Sequence, residues 1–390
     1  MSKSSPAKTV ILFLTLIALV IIFSMISSRL WGGKPETLPE PSILKIEKDM
    51  TVKDFGRAND LPNPSLKVIF GLQKKSDLQK KLTEYGTTSQ IKSLVVKKLA
   101  LAAEHKSKNW LKILIKFCLW FGFLITIFLI LKKRKISPVF RKTTLFVSVF
   151  IFGVIMGADP SPMGTVKDAI HLYGSARAIF PPRMIALMVF LAIVFLANKY
   201  ICAWGCQVGV LQDLIFRLNR TEKAKAIIGR QVKIPFVLSN SIRIIFFGIF
   251  TIFAFTWGLD IIGPIDPFKI YKPVFLGVTG IIFVGVLLVM GLFIYRPWCH
   301  FFCPFGFVGW LVEKISRTKI SVNYETCIAC QKCAKACPST VMSAILKQDK
   351  KTIPDCFSCY TCRDTCPTES ISFSARKRML PPVGHFERNK

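Results

Sequence analysis

Twelve of the thirteen cysteines of this 390-residue chain fall into patterned groups. Eight form two runs of the type C-x2-C-x2-C-x3-C-P. The first is Cys327, Cys330, Cys333 and Cys337 before Pro338; the second is Cys356, Cys359, Cys362 and Cys366 before Pro367. A C-x2-C-x2-C turn wraps three thiolates around three irons of one cubane, and the fourth cysteine, on a short helix, reaches the other cluster. Cys327, Cys330, Cys333 and Cys366 are therefore expected to hold one [4Fe–4S] cluster, and Cys356, Cys359, Cys362 and Cys337 the second. Zinc motifs usually present two cysteines per loop, and disulfide scaffolds are short secreted chains, so both fit less well.

The other four cysteines form two C-x3-C pairs, Cys202-Ala-Trp-Gly-Cys206 and Cys299-His-Phe-Phe-Cys303-Pro304. Each pair follows an apolar segment, and each has a glycine seven residues after its first cysteine (Gly209, Gly306). Asp159-Pro160 and Asp266-Pro267 open the two units, so the sequence reads as an internal repeat of two membrane helices plus a cysteine elbow. Four soft ligands suffice for a further iron–sulfur cluster if the repeats pack side by side. A dithiol cycling with a disulfide is the alternative. Packing of small buried hydrophobes explains a duplicated spacing poorly. Cys118 stands alone and is expected to pack.

The elements that position these thiols are apolar helices. The chain is 52% hydrophobic yet carries a formal charge of +32, a combination that fits a membrane protein with charged loops. Nucleic-acid binding would explain the charge but not the repeated apolar runs. Six stretches approach spanning length: 10–26, 110–131, 143–156, 184–200, 242–262 and 274–295. The segments 132–142 and 217–233 each hold six Lys or Arg, the second with one acid, Glu222. Positive loops stay in the cytoplasm, so the basic loops and both termini are expected inside, with 159–182 and 260–273 as outer turns. The first segment, with Lys3 and Lys8 ahead of its core, reads as a retained anchor rather than a signal peptide. The elbows are then expected to emerge at the cytoplasmic face.

The expected fold is an α-helical integral membrane protein of about six transmembrane helices with a C-terminal α+β two-cluster bacterial ferredoxin domain. The expected divisions are an anchor (1–28), an extracytoplasmic helical domain (29–109), a membrane bundle with two elbows (110–318), the ferredoxin domain (319–376) and a basic tail (377–390). "KISVNYETC" and "SISFSA" read as the ferredoxin strands. "TVKDFGRANDLPNPSLKVIFGL" has the outline of a helix-turn-helix, but a DNA-binding role conflicts with an outer location.

Residues 319–376 resemble a two-cluster bacterial ferredoxin. Over roughly 143–376, the elbows behind membrane helices followed by that unit resemble the membrane-bound polyferredoxins related to NapH and to the C-terminal half of NosR. The resemblance implies electron passage between the quinone pool and redox partners serving anaerobic respiration or metalloenzyme maturation, in a bacterial or archaeal cytoplasmic membrane. Gln207 departs from the expected proline after Cys206. No flavin-attachment stretch occurs in the outer segment, so no covalent flavin is implied.

Residues 157–175 read as a polar outer turn that could line a quinone headgroup site, with His171 or Asp168 handling protons. None of His105, His171, His300 and His385 sits mid-span as a paired axial ligand, so no haem is implied. His300 lies inside an elbow and either tunes it or sits at the surface. Lys112 and Lys116 are expected to snorkel to the interface. The expected function is an iron–sulfur relay between a membrane (quinone) or outer partner and a cytoplasmic one. The alternatives are a redox-dependent maturation or regulatory factor for a metalloenzyme and, last, a transporter-like protein with a redox-sensing tail.

Overall fold

A computed structural model describes residues 5–31, 44–47, 49–133, 135–221, 225–347, 355–375 and 378–386, without the Lys75 side chain. Lys3, Glu222 and parts of the basic tail lie outside the described residues.

The chain is mostly helical. The first helix, α1 (Pro6–Leu30), starts at Ser5, whose hydroxyl accepts the Lys8 amide and satisfies one orphan donor of the first turn. Two short helices, α2 (Val52–Ala58) and α3 (Asn63–Phe70), and the longer α4 (Thr88–Lys106) follow. Thr51 caps α2, and Thr87 with Gln90 forms a reciprocal capping box on α4. Val52, Phe55, Leu66, Phe70, Ile91 and Val95 close a small core between them. The helix-turn-helix outline is real, and its apolar faces are used in packing against α4.

Two long helices come next, α5 (Trp110–Lys133) and α6 (Pro138–Ser148), the latter continued by a π-helical turn over Val149–Ile155. π-Helical geometry shifts the backbone ladder and frees carbonyls for outside partners. Ile155 uses its carbonyl to accept from Ser27 Oγ at 2.8 Å and Trp31 Nε1 at 2.9 Å, which clamps α1 to α6. Residues 157–175, expected as a turn, instead build a 15-residue helix, α7 (Pro162–Ala176). Ser161 caps it, and Gly174 lets it press on the later helix Phe236–Trp257, since a Cβ there would sit 2.1 Å from the Ala254 carbonyl oxygen.

Then come α8 (Pro181–Ala197), α9 (Tyr200–Trp204), α10 (Gln207–Leu218), α11 (Phe236–Trp257), α12 (Val278–Phe293), α13 (Pro297–Phe301) and α14 (Pro304–Lys314). Four helical spans, Pro6–Leu30, Trp110–Lys133, Pro138–Ile155 and Phe236–Trp257, are long and apolar enough to cross a membrane. Two more apolar helices, α8 and α12, have 17 and 16 residues. Leu111, Ile125, Met188, Ile245, Ile252, Ile281 and Val286 face outward, an apolar surface that suits lipid rather than water.

The C-terminal unit pairs β1 (Lys319–Val322) with β2 (Ile371–Ser374) antiparallel, Lys319 opposite Ser374 and Val322 opposite Ile371. Between them lie α15 (Lys332–Ala336), α16 (Val341–Lys347) and α17 (Thr361–Asp364). Ile320, Val322, Val341, Met342, Ile345 and Ile371 form its own core, together with cysteines of both runs.

Candidate iron–sulfur centres

The two four-cysteine runs share one backbone design. Ala329 and Gln331 in the first, and Ser358 and Tyr360 in the second, hold left-handed φ angles of 52–61°. Each coil therefore turns sharply on either side of its middle cysteine, and the third cysteine follows on a short helix. The fourth cysteine sits at that helix's end, with the Cys337 amide donating to the Cys333 carbonyl at 3.0 Å.

Thiols gather across the runs rather than within them. Cys327, Cys330, Cys333 and Cys366 line one pocket with Ile328, Pro367 and Ile371. Burial, reinforced by the neighbouring Cys366, Cys327 and Cys330, pushes the Cys333 thiol up to about 11. Burial and the neighbours Cys337, Cys359 and Cys356 likewise push Cys362 well above the ordinary thiol range. Among the described residues, no three His, Cys, Asp or Glu side chains close on one metal ion. The donor set is soft, sulfur-only and arranged in two fours, which suits a cage better than a single ion.

Cys202, Cys206, Cys299 and Cys303 are all buried, in the same core as the bundle helices. The loop between α11 and α12 dips in to meet them, with Tyr271 Oη donating to the Gln207 carbonyl at 3.0 Å. Behind Gly205 stands the fully buried Trp120 of α5. The two elbows are neighbours, since Arg296, just before the second, reaches the Cys202 carbonyl in the first.

Two arginines tie the repeats together. Arg296, three residues before Cys299, donates to the Cys202 and Ala203 carbonyls and pairs with Asp213 at 2.8 Å. Arg243, inside α11, donates to the Cys299 and Gly306 carbonyls and pairs with Asp355 at 2.7 Å. The glycines have a steric reason. A Cβ on Gly209 would lie 2.6 Å from the Cys202 carbonyl oxygen, and one on Gly306 2.8 Å from that of Cys299.

The second four-cysteine run plugs this region. Asp355 pairs with Lys199 as well as Arg243, and Glu313 accepts the Cys356 amide at 3.0 Å. Phe357 is buried in the bundle's core, 5.2 Å from the His300 ring, with Lys199 4.3 Å above its face. His300 is thus half-buried at the junction rather than a surface residue. Trp204 Nε1 donates to the Ser358 carbonyl at 3.3 Å, and Arg217 reaches Thr361 Oγ1 at 3.0 Å. Arg141 pairs with Asp364 and donates to the Cys359 carbonyl.

These side chains were not picked out from the sequence. A signal existed: Lys199 and Arg296 each stand three residues before the first cysteine of an elbow. Ionisable residues such as Arg243 within an apolar helix also mark function by their cost. Lys116 is a further case. Expected to snorkel, it is fully buried and donates to the Gly157 and Asp159 carbonyls at 2.6 and 2.9 Å. Its burial is affordable because both bonds replace water. Cys118, expected to pack, is exposed on α5. At the bundle end away from the ferredoxin unit, a cavity of about 500 Å³ is lined by Asp159, Lys167, Asp168, His171, Asp266 and Lys272, among others.

Comparison with known proteins bears on this arrangement. Residues 179–231 and 276–323, which carry the two elbows, match the family described as 4Fe-4S binding domain. Residues 319–368 match the family described as 4Fe-4S dicluster domain. The chain carries two [4Fe–4S] clusters. YccM of Escherichia coli (strain K12), named for electron transport, is 31% identical over 183 residues, 43% of this chain and 49% of its own. An uncharacterized protein of Methanocaldococcus jannaschii, MJ0749, is 25% identical over 233 residues, 58% of this chain and 82% of its own. The chain spans about half the length of YccM. No solved structure matches. The chain thus joins 4Fe-4S domains to four helical spans long and apolar enough to cross a membrane.

Proposed function

We propose that the chain is a membrane-bound relay that moves single electrons between a membrane or outer donor and a partner at the ferredoxin unit. One observation carries this reading most: the Asp355–Ser358 stretch of the second cysteine run is wedged between the two elbows, ion-paired to Lys199 and Arg243. In this reading Cys327, Cys330, Cys333 and Cys366 ligate one cluster, and Cys356, Cys359, Cys362 and Cys337 the other. Bound cubanes supply one-electron exchange, with potentials set by net charge, hydrogen bonds to sulfur and exposure. The chain's own contribution is position. Arg141, Arg217 and Trp204 hold the backbone of the second run against the bundle, and Phe357 excludes water at the junction.

The same reading takes α8 and α12 as spans, making six with the four longer ones. It places the ferredoxin unit (319–376) in the cytoplasm and residues 29–109 outside, following the positive loops. The distal cavity then faces outward and is the place for a quinone headgroup, with Asp168 and His171 beside it.

The test is iron and sulfide analysis with EPR on reduced, detergent-purified protein. About eight irons in the two ferredoxin clusters are expected, with about four lost in Cys327→Ser and a different four in Cys356→Ser. Rapid reoxidation of the reduced clusters by a quinone analogue is expected of a relay. Clusters that stay reduced in its presence, with full iron content, would favour a maturation role.

A further inference from the structure

We propose that the two ferredoxin clusters are unequal: the one on Cys356, Cys359, Cys362 and Cys337 takes up an electron before the other. Arg217 and Thr361 are the positioning residues that set the difference. The inference deepens the relay reading and rests on it.

The two runs match in backbone but not in what reaches their sulfurs. Thr361 Oγ1 lies 3.4 Å from Cys359 Sγ and accepts from Arg217 at 3.0 Å. With that oxygen taken up by the guanidinium, the hydroxyl proton is left for the sulfur, and the charged donor behind it strengthens the bond. The equivalent position of the first run, two residues after Cys330, is Lys332, which is exposed and has no hydroxyl. The remaining hydroxyls near sulfur are matched. Ser339 Oγ lies 3.5 Å from Cys337 Sγ and Thr368 Oγ1 3.7 Å from Cys366 Sγ, and among the described residues no cation donates to either.

Charge adds to this difference. Arg141 donates to the Cys359 carbonyl, and Arg220 donates at 2.7 Å to the Ala336 carbonyl beside Cys337. Arg141 has Asp364 as its partner, while Arg217 and Arg296 share Asp213. Arg220 has no ion pair among the described residues. At the Cys356 end, Lys199 and Arg243 pair with Asp355, and Glu313 accepts the Cys356 amide. Cations shielded from water thus outnumber carboxylates around the second run. On the first run's side, Lys135 donates to the Cys366 carbonyl at 2.8 Å but is bridged by Glu369 at 3.2 Å. Lys233, Lys332 and Lys335 are exposed, where water and salt screen them.

Reducing a cubane adds one negative charge and makes or breaks no bond, so buried cations and donors to sulfur favour the reduced form. Burial alone works the other way, because a more highly charged core loses hydration. The cation excess and the Thr361 donor offset that loss. The first run, with three partly accessible thiols, is then the port for a partner, and the second is the store at the bundle. The step between them oxidises one core as it reduces the other.

The experiment is an EPR-monitored redox titration with dithionite of the full-length protein in detergent. The signal lost in Cys327→Ser marks the first cluster, and the signal lost in Cys356→Ser marks the second. The second is expected to be reduced first, with a preference of about tenfold or more, which is about 59 mV for one electron. Thr361→Val should cut that preference roughly threefold to tenfold, the effect of one hydrogen bond, with the first signal and the iron content unmoved. Thr361→Ser should restore it, and Arg217→Gln should act in the same direction as Thr361→Val. A first cluster that is reduced first, or a Thr361→Val that moves neither signal or both alike, would overturn the proposal. If Thr361→Val sheds iron, the order of reduction in the wild type decides alone. A wild type in which Cys327→Ser and Cys356→Ser remove no iron would instead sink the ferredoxin assignment beneath it.

Discussion

The four-cysteine runs and the elbows solve the same problem of gathering thiols by opposite means. In the runs, short spacing and two left-handed residues per coil set three thiols locally and the other run brings the fourth, while Cys327, Cys330, Cys333 and Cys359 stay partly accessible. In the elbows, each chain segment supplies only two cysteines, all buried, and distant residues bring the pairs together. A locally coded site tolerates change in its surroundings; a site assembled by tertiary contacts does not. The plug at Asp355–Ser358 belongs to both, being part of a run in sequence and of the elbow region in space.

That contrast can be broken most forcefully at Asp355. Asp355→Ala leaves Lys199 and Arg243 buried without their shared partner, and breaking a buried pair of this kind costs about 3–5 kcal/mol. A fall in thermal midpoint of the detergent-solubilised protein, with faster proteolytic release of the ferredoxin unit, is expected; an unchanged melt would mean the junction does not hold the two parts together. Phe357→Ala removes a ring that is 4% exposed and should cost about 3 kcal/mol. Its sharper readout is kinetic: slower reduction of the ferredoxin clusters from the membrane side, with their iron content intact.

The elbow glycines refine the comparison. Gly209→Ala and Gly306→Ala push a methyl onto a neighbouring carbonyl and should destabilise by about 1–3 kcal/mol, the usual cost of overpacking. Gly122→Ala and Gly248→Ala, where nothing lies within 4 Å, serve as controls with no loss. Equal melting of all four variants would remove the case for tight elbows. The smallest effect is expected at Glu369→Ala, which frees Lys135 from a bridge whose acid is 74% exposed. Exposed bridges of this sort contribute about 0–1 kcal/mol, so stability and iron content should both stay near wild type.

Much of the candidate site was legible because its information is local. The C-x2-C-x2-C-x3-C-P runs name their ligands by spacing, and β1 and β2 pair within the two flanking stretches that read as strands. Helices α1 and α5 overlap their expected spans because apolar length is itself the signal. Segment 157–175 was misread because its Gly and Pro content resembles a turn, yet Ser161 and Pro162 cap a helix and Gly174 serves a close helix contact. Lys116 was misread because position near a helix end suggests snorkelling, whereas two backbone carbonyls from a loop 41 and 43 residues away receive its ammonium.

By itself the sequence determined the iron–sulfur chemistry, the repeat and the apolar helices, since each rests on spacing or composition along a short stretch. The tertiary structure alone decided that the elbows are neighbours, that Arg243 and Arg296 clamp them, and that Phe357 is driven between them. Those facts depend on contacts between residues far apart in the chain, 83 positions for Arg296 and Asp213 and 112 for Arg243 and Asp355. No local pattern encodes such pairings. They are selected because a charge taken out of water must find its partner wherever the fold provides one.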